Sequence, residues 1–404
     1  MKKTFIALAL GISFSVSGQT WTRILDNVSG FDQWNAIASS ADGTTLVAAA
    51  GTGPIVVSTN SGATWIQATN APLAEWSGVA CSADGSIQVA VAGENGGGPI
   101  CVSTNRGATW NVTQAPNNHW TGVACSADGT RILAAGGLIY ASTNAGATWV
   151  PTSLPFLIGQ PLCVACSADG EKLIAGSGSW GDPIYISTNF GSTWVAANTA
   201  SNSFWTSVAA SSNGMTLIAA GGHMSTSYLG ENFLDSVVCA SSDGGVTWNT
   251  NIIDGTQGRG FLSTAASADG SKLVAVGPIT DSTIYLSTDF GATFAVMPDQ
   301  PSPQSLWVAA AFSADGSQLV VADGGGAIFK ARYLPSLSIF PCGKYLNVSW
   351  PAIASSSGLF LRRNLDLGST NWQAFATDPL FTNGSYSMMV SPTNAQEFFR
   401  LENQ

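Results

Sequence analysis

Cysteine and histidine are the residue types in this sequence best suited to metal or redox chemistry, with seven and two copies. The segment "CVAC" sets Cys163 and Cys166 three residues apart, which imitates a metal or redox pair. On a strand, residues three apart point to opposite faces, so these sulfurs cannot share one ion. Neither His119 nor His223 has a second histidine at a ligand spacing. The sequence therefore predicts no metal site, and no motif predicts a cofactor.

The other cysteines recur at fixed positions of an internal repeat. Cys81 and Cys125 share their position with Cys166, and Cys101 shares another with Cys239. Other copies of the repeat carry Ser, Ala, Val, Tyr or Phe there. Positions that accept such replacements are packing positions, where a free thiol acts as a small apolar group.

Glycan cleavage would need two facing carboxylates, or an arginine cluster with a Tyr/Glu pair as in sialidases. No arginine cluster is visible, and no carboxylate pair can be selected from spacing. A Ser-His-Asp arrangement stays open, although no nucleophile elbow is present. The carboxylates that fall in loops between strands are Asp32, Glu75, Glu94, Asp182, Glu231, Asp235, Asp254 and Asp281.

A repeat of four short strands positions all of these residues. A Ser-x-Asp/Asn-Gly turn occurs seven times, at intervals of 41–46 residues and one of 56. Asp-Gly and Asn-Gly suit a tight turn between strands, because both residues tolerate positive φ. Repeats of this length with four strands each indicate a β-propeller. The turns carry Asp42, Asp84, Asp128, Asp169, Asn213, Asp269 and Asp315.

The two ends of the repeat array complement each other. A second turn, such as "STNSGATW", precedes the fourth strand of six repeats, whereas the seventh repeat stops after its third strand near Ala331. The segment "TWTRILDN" at residues 20–27 is a fourth strand without that turn. We predict that it completes the seventh blade, so that no unpaired edge remains at the seam. The predicted fold class is all-β: a seven-bladed β-propeller closed by its N-terminal strand.

The six second turns resemble the Asp-box, or BNR, repeat. This repeat occurs in sialidases, sortilin-type receptors, certain xyloglucan hydrolases and the photosystem II stability/assembly factor family, and the seven short blades look most like the last. The resemblance covers residues 19–333. The Asn or Asp side chain can satisfy the backbone of its turn, so we predict a structural role without a ligand. This position is occupied by Asn60, Asn105, Asn144, Asn189, Asp243 and Asp289.

Aromatic residues open six of the seven first strands, and Pro161 takes their place in blade 4. The first strand of a blade is the innermost, so these side chains are expected to ring one end of the central channel. They either pack and space the blades or form a stacking platform for a sugar or peptide. The six residues are Trp34, Trp76, Trp120, Trp205, Phe261 and Trp307.

Two loops are longer than the repeat requires. Residues 176–183 carry Trp180, and residues 221–236 carry His223 and Tyr228. Long loops on a rigid scaffold are commonly functional, so we add these three side chains to the candidate ligand-binding residues.

The N-terminus has the pattern of an export signal. Lys2 and Lys3 precede an apolar run at residues 5–14, and small residues follow, so residues 1–18 are predicted to be cleaved. We expect a protein without a transmembrane segment in the periplasm, at the cell surface or outside the cell. A net charge of -10 disfavours nucleic acid as a partner.

Beyond the propeller, residues 334–404 hold six short alternating runs, which predict a small β-sandwich of fibronectin III type. The whole chain is interpreted as an exported, monomeric, non-catalytic scaffold that binds or assembles a protein or glycan partner on one face of the propeller. The alternatives are a glycoside hydrolase of sialidase or xyloglucanase type on the same fold, and a passive surface protein. Fold alone does not decide among them.

Overall fold

The structure is a computed structural model. It describes residues 20–25, 33–93, 97–153, 161–199, 203–226, 232–253, 260–277, 282–301, 306–332, 338–342, 345–351, 359–364, 373–375, 379–382, 385–391 and 398–403. The predicted export signal lies outside these ranges. Every regular element within them is a β-strand. No helix of the described part is long and apolar enough to cross a membrane.

The larger of two compact units is Thr20–Arg332, and it contains seven four-stranded antiparallel sheets. The seventh sheet combines β1 (Thr20–Leu25) from the start of the unit with three strands from its end. Each of the other six sheets consists of four strands that are consecutive in the chain. The strands are, in blade 1, β2 (Trp34–Ser39), β3 (Leu46–Ala50), β4 (Ile55–Ser58) and β5 (Ile66–Gln67); in blade 2, β6 (Trp76–Cys81), β7 (Gln88–Ala92), β8 (Ile100–Ser103) and β9 (Asn111–Val112); in blade 3, β10 (Gly122–Cys125), β11 (Ile132–Gly136), β12 (Leu138–Ser142) and β13 (Val150–Pro151); in blade 4, β14 (Pro161–Cys166), β15 (Leu173–Ser177), β16 (Tyr185–Ser187) and β17 (Val195–Ala196); in blade 5, β18 (Ser203–Ala210), β19 (Leu217–Thr226), β20 (Asn232–Ser241) and β21 (Asn249–Ile253); in blade 6, β22 (Ser263–Ala266), β23 (Leu273–Val276), β24 (Ile284–Ser287) and β25 (Ala295–Val296); and in blade 7, β26 (Trp307–Phe312), β27 (Gln318–Asp323) and β28 (Ile328–Arg332).

The predicted closure by the N-terminal strand is confirmed. β1 pairs with β28 in antiparallel register, with Trp21 opposite Ala331 and Arg23 opposite Phe329. Blade 1 also holds β1, because Trp65 Nε1 donates to the carbonyl of Ile24 at 3.1 Å. In blades 2, 3 and 5 the equivalent indole instead donates to a glycine carbonyl of its own turn. Trp65 therefore stabilises the seam between the two ends of the array.

The Ser-x-Asp/Asn-Gly turns join the first and second strands at one end of every blade, which we call the turn face. In blade 2, Ser82 Oγ donates to Asp84 Oδ1 at 2.7 Å, and the Ser86 N–H donates to the same oxygen at 2.9 Å. Gly85 has a φ of 69°, in the left-handed region that favours glycine. The local chemistry of four residues thus fixes each turn, which explains why the repeat could be counted from sequence.

The seven turns form a closed circle of backbone hydrogen bonds, which we call the hub ring. The residue before each Asp or Asn donates its N–H to the carbonyl of the equivalent residue in the next blade. All seven distances are 2.7–2.8 Å. The bond from Ala314 to Ala41 joins blade 7 to blade 1. The array is therefore closed at the hub ring as well as by β1. The circle runs through Ala41, Ala83, Ala127, Ala168, Ser212, Ala268 and Ala314.

Hydrogen bonds to the turn carboxylates make the turns sensitive to acid. In Asp84 the bonds from the Ser86 backbone, the Ser86 hydroxyl and the Ser82 hydroxyl lower the pKa to about 2. The unfolded value lies near 4. Stability from this group is therefore fully present above about pH 4 and is lost as the pH falls through about 2.

Asp84→Asn is expected to leave the unfolding temperature at pH 7 nearly unchanged and to reduce its fall between pH 4 and pH 2. Asn213 shows why, because it accepts the equivalent bonds from Ser211 and Met215 at 2.8 and 2.9 Å without a charge. Thermal unfolding followed at several pH values checks this. Asp84→Ala, which removes the acceptor, should be less stable at every pH. An identical acid response in wild type and Asp84→Asn would contradict the assignment.

The second unit contains the C-terminal strands. One sheet has the order β29-β30-β34-β33, and the other has the order β32-β31-β35. Leu361 of the second sheet belongs to the same buried cluster as Val348, Met388 and Val390 of the first. The fibronectin III type stays a prediction. The strands are β29 (Ser338–Cys342), β30 (Tyr345–Pro351), β31 (Leu359–Asn364), β32 (Gln373–Ala374), β33 (Leu380–Thr382), β34 (Ser385–Val390) and β35 (Phe398–Asn403).

Candidate functional site

The aromatic residues at the first strands are core residues, and the idea of a stacking platform is corrected here. Each is 0–1% exposed: Trp34, Trp76, Trp120, Trp205, Phe261 and Trp307. Three of the indoles donate to the preceding blade, at the carbonyls of Gly326, Gly53 and Asp182. Because all six rings are this fully buried, their faces are unavailable to a ligand. The packing alternative accounts for all six.

The Asn and Asp residues of the second turns bond only within those turns. In blade 1, Asn60 Oδ1 accepts from the Thr64 N–H at 2.8 Å and from Ser58 Oγ at 3.0 Å. Asp243 and Asp289 accept the equivalent N–H bonds from Thr247 and Thr293. The same pattern holds at Asn105, Asn144 and Asn189. These side chains hold the turn that precedes the fourth strand.

The blade 4 loop at residues 176–183 lies at the end of the blade opposite the turn face, which we call the loop face. Its anchor is Asp182, which is 4% exposed. The Asp182 carboxylate accepts a hydrogen bond from Ser177 Oγ at 2.7 Å, and its carbonyl accepts one from Trp205 Nε1 at 3.1 Å. Burial, followed by the charge of Asp182, raises the pKa of Tyr185. The loop is therefore fixed both to its own blade and to blade 5.

The long β19–β20 hairpin of blade 5 brings a serine, a histidine and an aspartate into one row. Ser203 lies opposite His223 in the β18–β19 register, and His223 lies opposite Asp235 in the β19–β20 register. Ser203 Oγ and His223 Nδ1 are 3.1 Å apart and share a hydrogen bond whose direction depends on the histidine tautomer. Because Ser203 is 1% exposed, its hydroxyl is not open to an acyl substrate. The row instead braces the hairpin against β18.

The blade 4 loop meets the first strand of blade 5 on the loop face and exposes one indole there. The Gly181 N–H donates to the Ser203 carbonyl at 2.9 Å. Trp180 packs edge-on against Phe204, with ring centroids 4.6 Å apart and planes at 75°. Trp180 is nevertheless 41% exposed, whereas every other tryptophan whose side chain is described is buried or half-buried. We call the surface formed by Trp180, Phe204 and His223 the Trp180 surface. Tyr228, the other predicted residue of these loops, lies outside the described residues.

A second concave feature lies on the axis of the propeller. Each first strand contributes its last three residues to the wall of a cavity of about 290 Å³. The wall is mostly Ala and Val, and it includes Cys81, Cys125 and Cys166, each of which packs against a different cluster between blades. Cys163, three residues before Cys166, instead belongs to the buried cluster shared by blades 4 and 5. The two sulfurs of "CVAC" thus lie in different surroundings.

The solved structures that are similar to this chain include the following two. The GH74 xyloglucanase from Xanthomonas campestris matches with a TM-score of 0.60 at 15% identity, over 82% of this chain and 59% of its own. YCF48 from Cyanidioschyzon merolae matches with a TM-score of 0.57 at 14% identity, over 77% of this chain and 98% of its own. The fold is that of a β-propeller. The chain spans less than two thirds of the length of the xyloglucanase. No family model and no curated protein matches it.

Sequence reasoning missed two contributors to these features. Phe204 supports Trp180, and its place directly before Trp205 was a usable signal because other first strands lack an aromatic there. Cys81, Cys125 and Cys166 were correctly placed at one repeat position, but the cavity between the last residues of the seven first strands was not expected. That cavity follows from the seven innermost strands converging on one axis.

Proposed function

We propose that this protein is an exported, non-catalytic binding or assembly scaffold that recognises a protein or glycan partner through the Trp180 surface. The observation that carries the proposal is the exposed indole on a loop whose anchors are buried. Aromatic side chains are common anchors of interfaces because they bury a large area with few rotatable bonds.

The rigidity of the surface favours recognition. The loop is held by the Asp182 carboxylate, by the Asp182 carbonyl and by the Gly181 N–H, and the ring rests on Phe204. A surface fixed before binding loses little conformational entropy when the partner arrives. A propeller that supports such a surface on a closed ring of blades is suited to holding a partner in a defined orientation.

The glycoside hydrolase alternative receives less support from this surface. Hydrolysis requires two carboxylates that reach opposite sides of a glycosidic bond. The described carboxylates of the two long loops, Asp182 and Asp235, are 4% and 8% exposed, and Asp182 is bonded to Ser177. Neither offers an open oxygen to a substrate. The likenesses to a xyloglucanase and to YCF48 support the fold, which does not decide between a hydrolase and a scaffold.

Trp180→Ala is expected to weaken partner binding strongly and to leave the fold intact, because the side chain is exposed and the loop anchors lie elsewhere. Loss of one buried aromatic anchor weakens an interface by about 2–4 kcal/mol, or roughly 30–1,000-fold in Kd. The measurement is retention of glycans on an array and of proteins from the exported fraction of the source cells.

Phe290→Ala is the matched control, because Phe290 is 48% exposed and lies in the second turn of blade 6, on the turn face. Binding that survives in this control and is lost in Trp180→Ala supports the proposal. Partners retained equally by wild type and both variants would contradict it. Circular dichroism of the three proteins establishes that each is folded.

A further inference from the structure

A contact at the outer rim of the propeller links two pairs of neighbouring blades. Between blades 1 and 2, Thr69 Oγ1 donates to the carbonyl of Ala108, and the Trp110 N–H donates to the Thr69 carbonyl at 3.2 Å. Between blades 3 and 4, Ser153 Oγ donates to the equivalent carbonyl, that of Ser192, at 2.6 Å. Thr69 and Ser153 are each the second residue after a fourth strand. We call this contact the outer latch.

Between blades 2 and 3, a groove takes the place of the outer latch. The second residue after β9 is Gln114, which lines the groove together with Thr113. The opposite wall is the second turn of blade 3, including Gly146 and Ala147. The groove has a volume of about 360 Å³, which lies at the lower end of the range for ligand pockets. It therefore occupies the space that a latch residue fills elsewhere.

The groove retains the two backbone groups that the outer latch uses. Ala147 is exposed and lines the groove, and its carbonyl is the equivalent of the Ala108 carbonyl in blade 2. Thr152 donates its N–H to β12. Because successive peptide groups of an antiparallel strand alternate in direction, the Trp149 N–H, three residues earlier, points away from β12. This N–H is the equivalent of the Trp110 N–H. The groove thus offers one acceptor and one donor to an occupant.

The groove also leaves apolar surface uncovered. In blades 2 and 4, whose second turns receive an outer latch, Trp110 and Trp194 are 1% and 8% exposed. The equivalent Trp149 of blade 3 is half-buried. Val102 and Val112 line the blade 2 side of the groove, and no charged side chain lines it in the described part of the chain. An uncharged occupant with apolar side chains matches this lining.

We propose that the groove binds an extended, uncharged peptide segment of a protein partner, which places a threonine or serine where Thr69 lies between blades 1 and 2. The hydroxyl of that residue donates to the Ala147 carbonyl, and its backbone carbonyl accepts from the Trp149 N–H. The segment runs parallel to the second turn, as Thr69 does in its parallel bridge with Thr109. The occupant is defined by a contact that the propeller already makes within its own chain.

The probe is the acetylated and amidated peptide of residues 66–71, Ile-Gln-Ala-Thr-Asn-Ala, which contains the latch residue of blade 1. Saturation-transfer NMR with the full-length protein measures its binding. Wild type should bind the peptide saturably. The same peptide with Thr69→Val keeps the shape of the side chain and loses the hydroxyl donor, so its Kd should rise about fivefold.

Ala145→Phe in the protein should close the groove and raise the Kd of the peptide roughly tenfold or more. Ala145 lines the groove with a φ of 54°. Phe190 occupies the equivalent position of blade 4 with a φ of 51°, so the variant is expected to fold. Arg106→Phe is the matched control, because it places the same ring at the equivalent position of blade 2, where Thr69 already forms the outer latch.

Binding by wild type and by the control, together with the loss in Ala145→Phe, supports the site. Absence of saturable binding to wild type would overturn the proposal, as would equal affinities of wild type and Ala145→Phe. An unchanged Kd for the valine peptide would also overturn it. The groove lies between blades 2 and 3 and the Trp180 surface on blades 4 and 5, so these results are independent of whether the Trp180 surface binds a partner.

Discussion

Removal of Thr20–Leu25 is expected to lower the unfolding temperature of the propeller by roughly 8 °C. The deletion removes the fourth strand of blade 7 and exposes β28 as an edge. It also removes the acceptor of Trp65 Nε1, at the carbonyl of Ile24, and the packing of Ile24 and Leu25 on the cluster shared by blades 7 and 1. A strand with several hydrogen bonds and two apolar contacts contributes about 5 kcal/mol, which sets the expected shift.

Thermal unfolding of the deletion variant checks this, and a synthetic peptide of residues 19–27 should restore part of the loss. Trp65→Phe keeps a large ring and removes one hydrogen bond, so it should cost only about 1 kcal/mol. An unfolding temperature equal to that of wild type would mean that the hub ring closes the array without help from β1.

Gly221→Ala is expected to destabilise the propeller by about 3 kcal/mol or more. A Cβ at this position would lie 1.9 Å from the carbonyl oxygen of Phe204, so the β18 backbone would have to move. That movement would shift the strand that carries Ser203 and Trp205. The Trp180 surface should therefore be disturbed together with stability.

Equilibrium unfolding in denaturant measures the loss, and near-ultraviolet circular dichroism reports the tryptophan environment. Gly78→Ala is the matched control, since its Cβ would meet its nearest neighbour, a Val91 methyl, at 3.3 Å. The control should change the free energy of unfolding by less than about 1 kcal/mol. Equal stability of the two variants would show that β18 can relax around the added methyl group.

The blade count and the closure could be predicted because their signals are local. Each Ser-x-Asp/Asn-Gly turn is held by bonds among a few successive residues, as at Ser82, Asp84 and Ser86. The spare strand at residues 20–27 was recognisable because it matched the piece missing from the last repeat. Because the same short-range hydrogen bonds recur at regular intervals, few other folds are compatible with the sequence.

The surfaces depend on contacts between blades, which sequence spacing does not report. Whether Trp205 is a platform or a wedge depends on where the carbonyl of Asp182 lies, and that residue belongs to the preceding blade. The alignment of Ser203 with His223 depends on the β18–β19 register, which shifts between Trp205 and Ser207. A one-residue difference in that shift would place these side chains on opposite faces.

The hub ring is made of peptide groups alone, so it places no demand on side-chain identity. Ser212 occupies the same place in the circle as six alanines, with a bond of the same length. A circle of donors and acceptors that all point in one rotational sense has no first or last member, and its dipoles cancel across the disc. Successive repeats can therefore diverge in sequence without loosening the axis. The length added in blade 5 lies at the opposite end of the strands, where new recognition surfaces can arise without disturbing the centre.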